Sequence, residues 1–141
     1  MADQMKVPLH QISVSACEAE FREHRVQIDR PVSKGGSDTG PMGGELFLAA
    51  VGGCFMSNLL AAIRARDAKI SQVRTEVTAT VEGTPPRFVS MELLVTAAGE
   101  DLSELEKLTR IAERGCIMVN TLAGNVPVAV RTGTPVGASP R

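Results

Sequence analysis

Two of the three cysteines stand where a thiol could do chemistry. Cys54 lies in Gly-Gly-Cys-Phe-Met-Ser-Asn, inside a long apolar run, and Cys116 follows Arg-Gly at the end of a second helical pattern. A buried free cysteine is ordinarily a small hydrophobe; it becomes a redox group with a lowered pKa, access, and a second thiol that can resolve its oxidised form. Cys116 opens a short helical segment, Cys-Ile-Met-Val-Asn-Thr-Leu, where the helix dipole favours a thiolate. Thiol redox chemistry is therefore the chemistry these residues suggest. Cys17 has no motif around it, shares a strand face with Ser13 and Ser15, and is expected to be a spectator.

The other titratable groups have plainer readings. His10 and His24, even taken with Cys17, make no Cys-x-x-Cys or His-x-x-Glu-His spacing, so no metal and no other cofactor is expected. Arg22 and Arg25, in Phe-Arg-Glu-His-Arg, read by themselves as solvated charges at a strand end. Glu45 reads as a first-turn carboxylate answering the dipole of the helix it opens.

Those residues need elements to hold them, and period and punctuation give a coarse set. Gln11 to Phe21 alternates Ile12, Val14 and Ala16 against Ser13, Ser15 and Cys17 and is predicted as a strand, with Arg25 to Asp29 as its partner across a short turn. Pro31 to Gly44 holds five Gly, two Pro and two Ser and is predicted as a loop. A central helix is predicted from about Glu45 to Asp67. Next comes a strand from Ile70 to Glu82 with Val73, Thr75, Val77, Ala79 and Val81 on one face, then a Gly-Thr-Pro-Pro turn and a returning strand from Phe88. Asp101-Leu-Ser-Glu suggests a capped helix start, with Leu102, Leu105, Leu108 and Ala112 as its apolar stripe and Gly115 as its end. Val126 to Arg131 is predicted as a last strand. Two glycines within the central helix, Gly52 and Gly53, cost about 2 kcal/mol relative to alanine, so a close neighbour is expected there, a helix before all others.

Composition bounds the rest. The 141 residues suit one domain, 1–132, with a loose tail at 133–141. A net charge of -1, four Phe and no Trp or Tyr leave neither the basic footprint nor the stacking platforms of a nucleic-acid binder. Three cysteines are too few for a secreted disulfide framework, and the first ten residues lack a signal-peptide core, so a reducing cytoplasm is expected. Leu46 to Ile63 carries no charge and would reach about 27 Å as a helix, but Ser57 and Asn58 sit near its middle, so it is read as a buried central helix rather than a membrane span. The fold class is α+β, with antiparallel sheets packed around the long apolar helix and a second helix. One small sheet covers only one face of a helix that is apolar all round, and a second copy of the chain is expected to cover the other.

The stretch Gly40-Pro-Met-Gly-Gly-Glu-Leu-Phe-Leu-Ala-Ala-Val-Gly-Gly-Cys54 resembles the first-cysteine signature of the OsmC/Ohr superfamily, the osmotically induced and organic hydroperoxide resistance proteins. Glu113-Arg-Gly-Cys116, 62 positions later, resembles the second. The resemblance implies an intertwined homodimer with its active sites at the subunit interface. It also implies a thiol peroxidase, in which Cys54 attacks an organic hydroperoxide, Cys116 resolves the sulfenic acid as a disulfide, and a dithiol or thioredoxin-type donor reduces it. Arg22, with Arg25 second, matches the arginine that holds the thiolate in such proteins, and Glu45 their glutamate, displaced by one position because Gly44 stands where those members carry it. That displacement places the chain nearer a branch with less defined substrates. The alternative is a non-enzymatic dimeric protein that binds a small apolar or thiol-bearing ligand at the interface.

Overall fold

The computed structural model describes residues 2–134, in two compact units that divide between Phe47 and Leu48. The expected tail, 133–141, lies outside the described residues from position 135 onward.

In the first unit β1 (Leu9–Gln11), β2 (Cys17–Phe21) and β3 (His24–Ile28) form an antiparallel sheet in chain order. The predicted strand from Gln11 to Phe21 is therefore broken. Ser13 Oγ accepts the N–H groups of Ser15 at 3.2 Å and Ala16 at 2.9 Å, and the N–H groups of Ile12 and Ser13 both reach the Ala16 carbonyl, closing a turn. A serine hydroxyl that satisfies nearby backbone competes with the strand ladder, and here it wins. Val14, placed above on the apolar side of that alternation, is 99 % exposed at the tip.

Past β3 the glycine-rich loop folds back on one carboxylate. Asp29, 2 % exposed, accepts the N–H of Arg30 at 2.7 Å through Oδ1. Its Oδ2 accepts the N–H groups of Ser37 at 3.0 Å and Thr39 at 3.2 Å and the Thr39 hydroxyl at 3.0 Å. A Cβ at Gly36 would lie 2.0 Å from the Arg30 carbonyl oxygen and one at Gly40 2.1 Å from that of Gln27, so only glycine permits the fold-back. Burial raises the Asp29 pKa, but the Thr39 and Arg30 N–H groups, the nearby Ser15 hydroxyl and the Ser37 N–H outweigh it and bring it down to about 2. A carboxyl depressed in the folded state stabilises above its unfolded pKa of about 4 and loses that contribution as pH falls towards 2. Asp29→Asn turns an amide donor towards donors already present. It is expected to lower the melting temperature at pH 7 and to flatten its fall between pH 4 and 2, as followed by thermal denaturation.

α1 (Gly43–Ala65) begins in the first unit and runs on through the second. It starts and ends two residues earlier than predicted, stopping before Asp67, which takes φ 50°. Its length and its mean hydropathy of 2.0 over 18 residues would by composition alone allow it to cross a membrane. Val51, Gly52, Phe55, Leu59 and Ile63 form its buried stripe, yet only 28 % of that 18-residue window is buried. Ala49, Ala50, Gly53, Leu60 and Ala61 stand exposed on other sides. The close neighbour expected at the paired glycines exists at one of them. A Cβ on Gly52 would come within 2.7 Å of Val77 Cγ2, a strand side chain rather than a helix, and one on Gly53 meets nothing within 4 Å.

β4 (Ser71–Glu82) and β5 (Arg87–Ala98) make the long hairpin, joined through Gly83-Thr-Pro-Pro. Val73, Thr75, Val77 and Ala79 are half-buried on one face as predicted. A register shift between Thr80 and Val81 ends the pattern, and Val81 is 56 % exposed. Met91, Leu93, Val95 and Ala97 of β5 are buried. β6 (Val128–Thr132), two residues later than predicted at its start, joins β5 in parallel and completes the sheet β4-β5-β6. A parallel partner needs a crossover, which α2 (Leu105–Arg114) and α3 (Ile117–Leu122) supply. α2 packs on β6 through a face holding Leu105, Leu108, Thr109 and Ala112. Asp101 does not cap it. Its Oδ2 accepts the Lys69 N–H at 2.7 Å instead, and a 3-10 turn at Leu102–Glu104 leads into the helix.

Candidate functional site

The second unit brings the two motif cysteines together. Cys54 sits half-buried near the middle of α1, directly before the buried Phe55. Cys116 is the N-cap of α3, with φ -82° and ψ 116°, and is fully buried. The predicted first-turn position is thus one step outside the helix. Both are free thiols, and the Cys54 side chain acts directly on Cys116.

Burial pushes the Cys116 thiol up, the N–H of Val119 draws it down, the Cys54 side chain raises it by hydrogen bonding, the Met118 N–H lowers it, and the charge of Cys54 raises it further. The net direction is up. The Val119 and Met118 N–H groups at the start of α3 draw the pKa down, the direction expected of a helix start, but exclusion from water and the neighbouring sulfur outweigh them. A half-buried thiol and a buried one whose pKa is raised, with side chains that act on each other, form a pair that a two-electron oxidant can convert to a disulfide.

The corner that presents Cys116 is held by two asparagines that the sequence reading did not single out. α2 ends with carbonyls that have no helical partner. Asn58 of α1 donates from Nδ2 to the Ala112 carbonyl at 3.4 Å, and Asn120 of α3 donates to that of Arg114 at 3.2 Å. Asn58 stands four residues after Cys54, the spacing that puts two side chains on one helix face. That spacing was the available clue.

The remaining expected site residues lie in the first unit. Arg22 occupies the β2–β3 turn at φ 60°, a left-handed conformation that costs a side-chain-bearing residue roughly 1–2 kcal/mol. Its guanidinium makes no ion pair or hydrogen bond among the described residues. Arg25 is engaged, with Glu18 at 3.1 Å and Glu20 at 3.5 Å. Glu45 accepts the Met42 N–H at 2.9 Å, half of a capping box that fastens the start of α1. His10, Glu18 and Glu20 bring ligand atoms within 4.8 Å of one another, a cross-strand grouping that linear spacing hides. Arg25 already neutralises its carboxylates, and we assign the cluster to ion pairing. Cys17, opposite Ile28, is half-buried and lines a groove of about 690 Å³ with Asp29, Arg30 and Lys34. Neither Cys54 nor Cys116 borders that groove.

With this geometry in view, comparison with known proteins gives a family through one family model and a fold through solved structures. The model of the OsmC-like protein family matches residues 35–131. None of the curated proteins matches the chain significantly. Among solved structures, an OsmC-like protein from Mycoplasma pneumoniae superposes with a TM-score of 0.80 at 16 % identity, covering 95 % of this chain and 99 % of that one. An organic hydroperoxide resistance protein OsmC from Legionella pneumophila gives 0.71 at 18 % identity, covering 94 % and 99 %. The organic hydroperoxide resistance protein OhrB of Bacillus subtilis gives 0.66 at 19 %, covering 91 % and 96 %. At these identities the likeness concerns the fold.

Proposed function

The chain belongs to the OsmC-like protein family, and from that premise we propose that it is a thiol peroxidase reducing organic hydroperoxides. The observation that carries this reading is the pairing of half-buried Cys54 with buried Cys116, whose pKa is raised. The Cys54 thiolate attacks the distal oxygen of ROOH. The O–O bond breaks, the alkoxide takes a proton to leave as ROH, and Cys54 carries a sulfenic acid. Cys116 then attacks that sulfur, the S–S bond forms, the S–O bond breaks, and hydroxide departs with the thiol proton as water. A dithiol or thioredoxin-type donor restores both thiols. A raised pKa suits the second role, because a thiol that stays protonated and buried does not compete for the peroxide.

Arg22 is proposed, from its match to the family's arginine, as the cation that favours the Cys54 thiolate; unlike Arg25 it is not spent on carboxylates, and a guanidinium favours the charged form of a thiol. Glu45 is proposed to act by fixing the start of α1. A second copy of the chain is proposed to cover the exposed apolar side of α1, making a homodimer. Reduced protein supplied with a dithiol is expected to consume cumene hydroperoxide over many turnovers. Consumption no faster than the dithiol alone achieves contradicts the reading.

A further inference from the structure

We infer that Asn58 is a positioning residue for disulfide closure, setting the approach of Cys116 to oxidised Cys54; this rests on the peroxidase reading above. Asn58 joins the two halves of the thiol pair by different routes. It lies one helical turn from Cys54 on the same face of α1, and its Nδ2 donates at 3.4 Å to the Ala112 carbonyl, in the last turn of the helix that ends just before Cys116. That carbonyl has no helical donor, because the Cys116 N–H turns instead to Glu113 at 3.2 Å and the Gly115 N–H to Ile111 at 3.3 Å. The amide also faces Gly115, where a Cβ would meet Nδ2 at 3.6 Å, so the residue directly before Cys116 sits under Asn58. Asn120 ties the same corner from α3, holding Arg114, but without a link to α1. Asn58 is therefore a polar tether between the Cys54 helix and the Cys116 corner.

Disulfide formation needs the two sulfurs brought to bonding distance with a narrow dihedral, whereas attack on a small hydroperoxide needs only Cys54. Loss of the tether should consequently separate the two steps. In Asn58→Ala the oxidation of Cys54 by cumene hydroperoxide is expected at the wild-type rate, while closure to the disulfide slows about tenfold, the cost of a misplaced near-attack geometry. Sulfenic acid then accumulates and is trapped by dimedone. Asn58→Asp keeps the shape but turns an acceptor towards the Ala112 carbonyl and is expected to behave like Ala. Asn58→Gln, which keeps the amide, should restore part of the closure rate. Stopped-flow oxidation followed by quenched peptide mapping reads both steps. Closure at the wild-type rate in both Asn58→Ala and Asn58→Asp overturns the inference. So does a parallel slowing of both steps that Asn58→Gln does not relieve, which would mark a merely structural role. A wild-type chain that oxidises Cys54 but never closes the disulfide removes the two-cysteine reading itself and this inference with it, and is seen before any variant is made.

Discussion

Cys54→Ser is expected to reduce hydroperoxide consumption by about a thousandfold or more, close to the uncatalysed rate, because a hydroxyl at neutral pH offers no nucleophile comparable to a thiolate and each factor of ten is about 1.4 kcal/mol of barrier. Cys116→Ser should behave differently. The first equivalent of hydroperoxide is still reduced at Cys54, but the sulfenic acid has no partner, turnover with a dithiol falls, and excess oxidant carries Cys54 on to the sulfinic state. Single-turnover and steady-state measurements on the two variants distinguish the roles. Cys17→Ser, in the groove of the first unit, should leave both rates unchanged.

Gly53 gives the second large effect, because the sign depends on assembly. In one protomer Gly53 is exposed and a Cβ there meets nothing within 4 Å, so Gly53→Glu should stabilise an isolated chain by roughly 0.5–1 kcal/mol through helix propensity. If a second copy covers this side of α1, the same substitution buries an unpaired carboxylate and should destabilise by about 3–5 kcal/mol. We expect the second outcome, with loss of the dimer in sedimentation and a lower melting temperature. A monomeric wild type in which Gly53→Glu raises the melting temperature contradicts the assembly proposed for α1. Leu60, 45 % exposed on the same helix, should respond to a charge likewise.

Elements with a strong period were legible in the residues. The uncharged run became α1, and the alternation of Val73 to Ala79 became a strand face with one side half-buried. What the pattern missed was decided by hydrogen bonds that pattern does not encode. Ser13 captured two backbone N–H groups and broke a plausible strand, and Asp101 turned to Lys69 instead of capping α2. The parallel placement of β6 followed from the crossover through α2 and α3, which no local signal near Val126 announces. At the site, the motifs singled out Cys54 and Cys116, but the burial that keeps the Cys116 thiol protonated is a tertiary property. The roles of Asn58 and Asn120 were not legible because each answers a carbonyl whose helix ends there, and which carbonyls are left over depends on where α2 stops. Asp29 was hidden for a similar reason, since its partners come from up to ten residues away in the glycine-rich loop.

Cys54 on α1 and Cys116 at the start of α3 are proposed to act as a redox pair. Reduced protein treated with one equivalent of cumene hydroperoxide and mapped without reduction tests it directly. The expected product is a chain lighter by two hydrogens, with the Cys54 and Cys116 peptides joined and Cys17 still alkylable. A disulfide through Cys17, or free thiols at both Cys54 and Cys116 while the hydroperoxide persists, would contradict it.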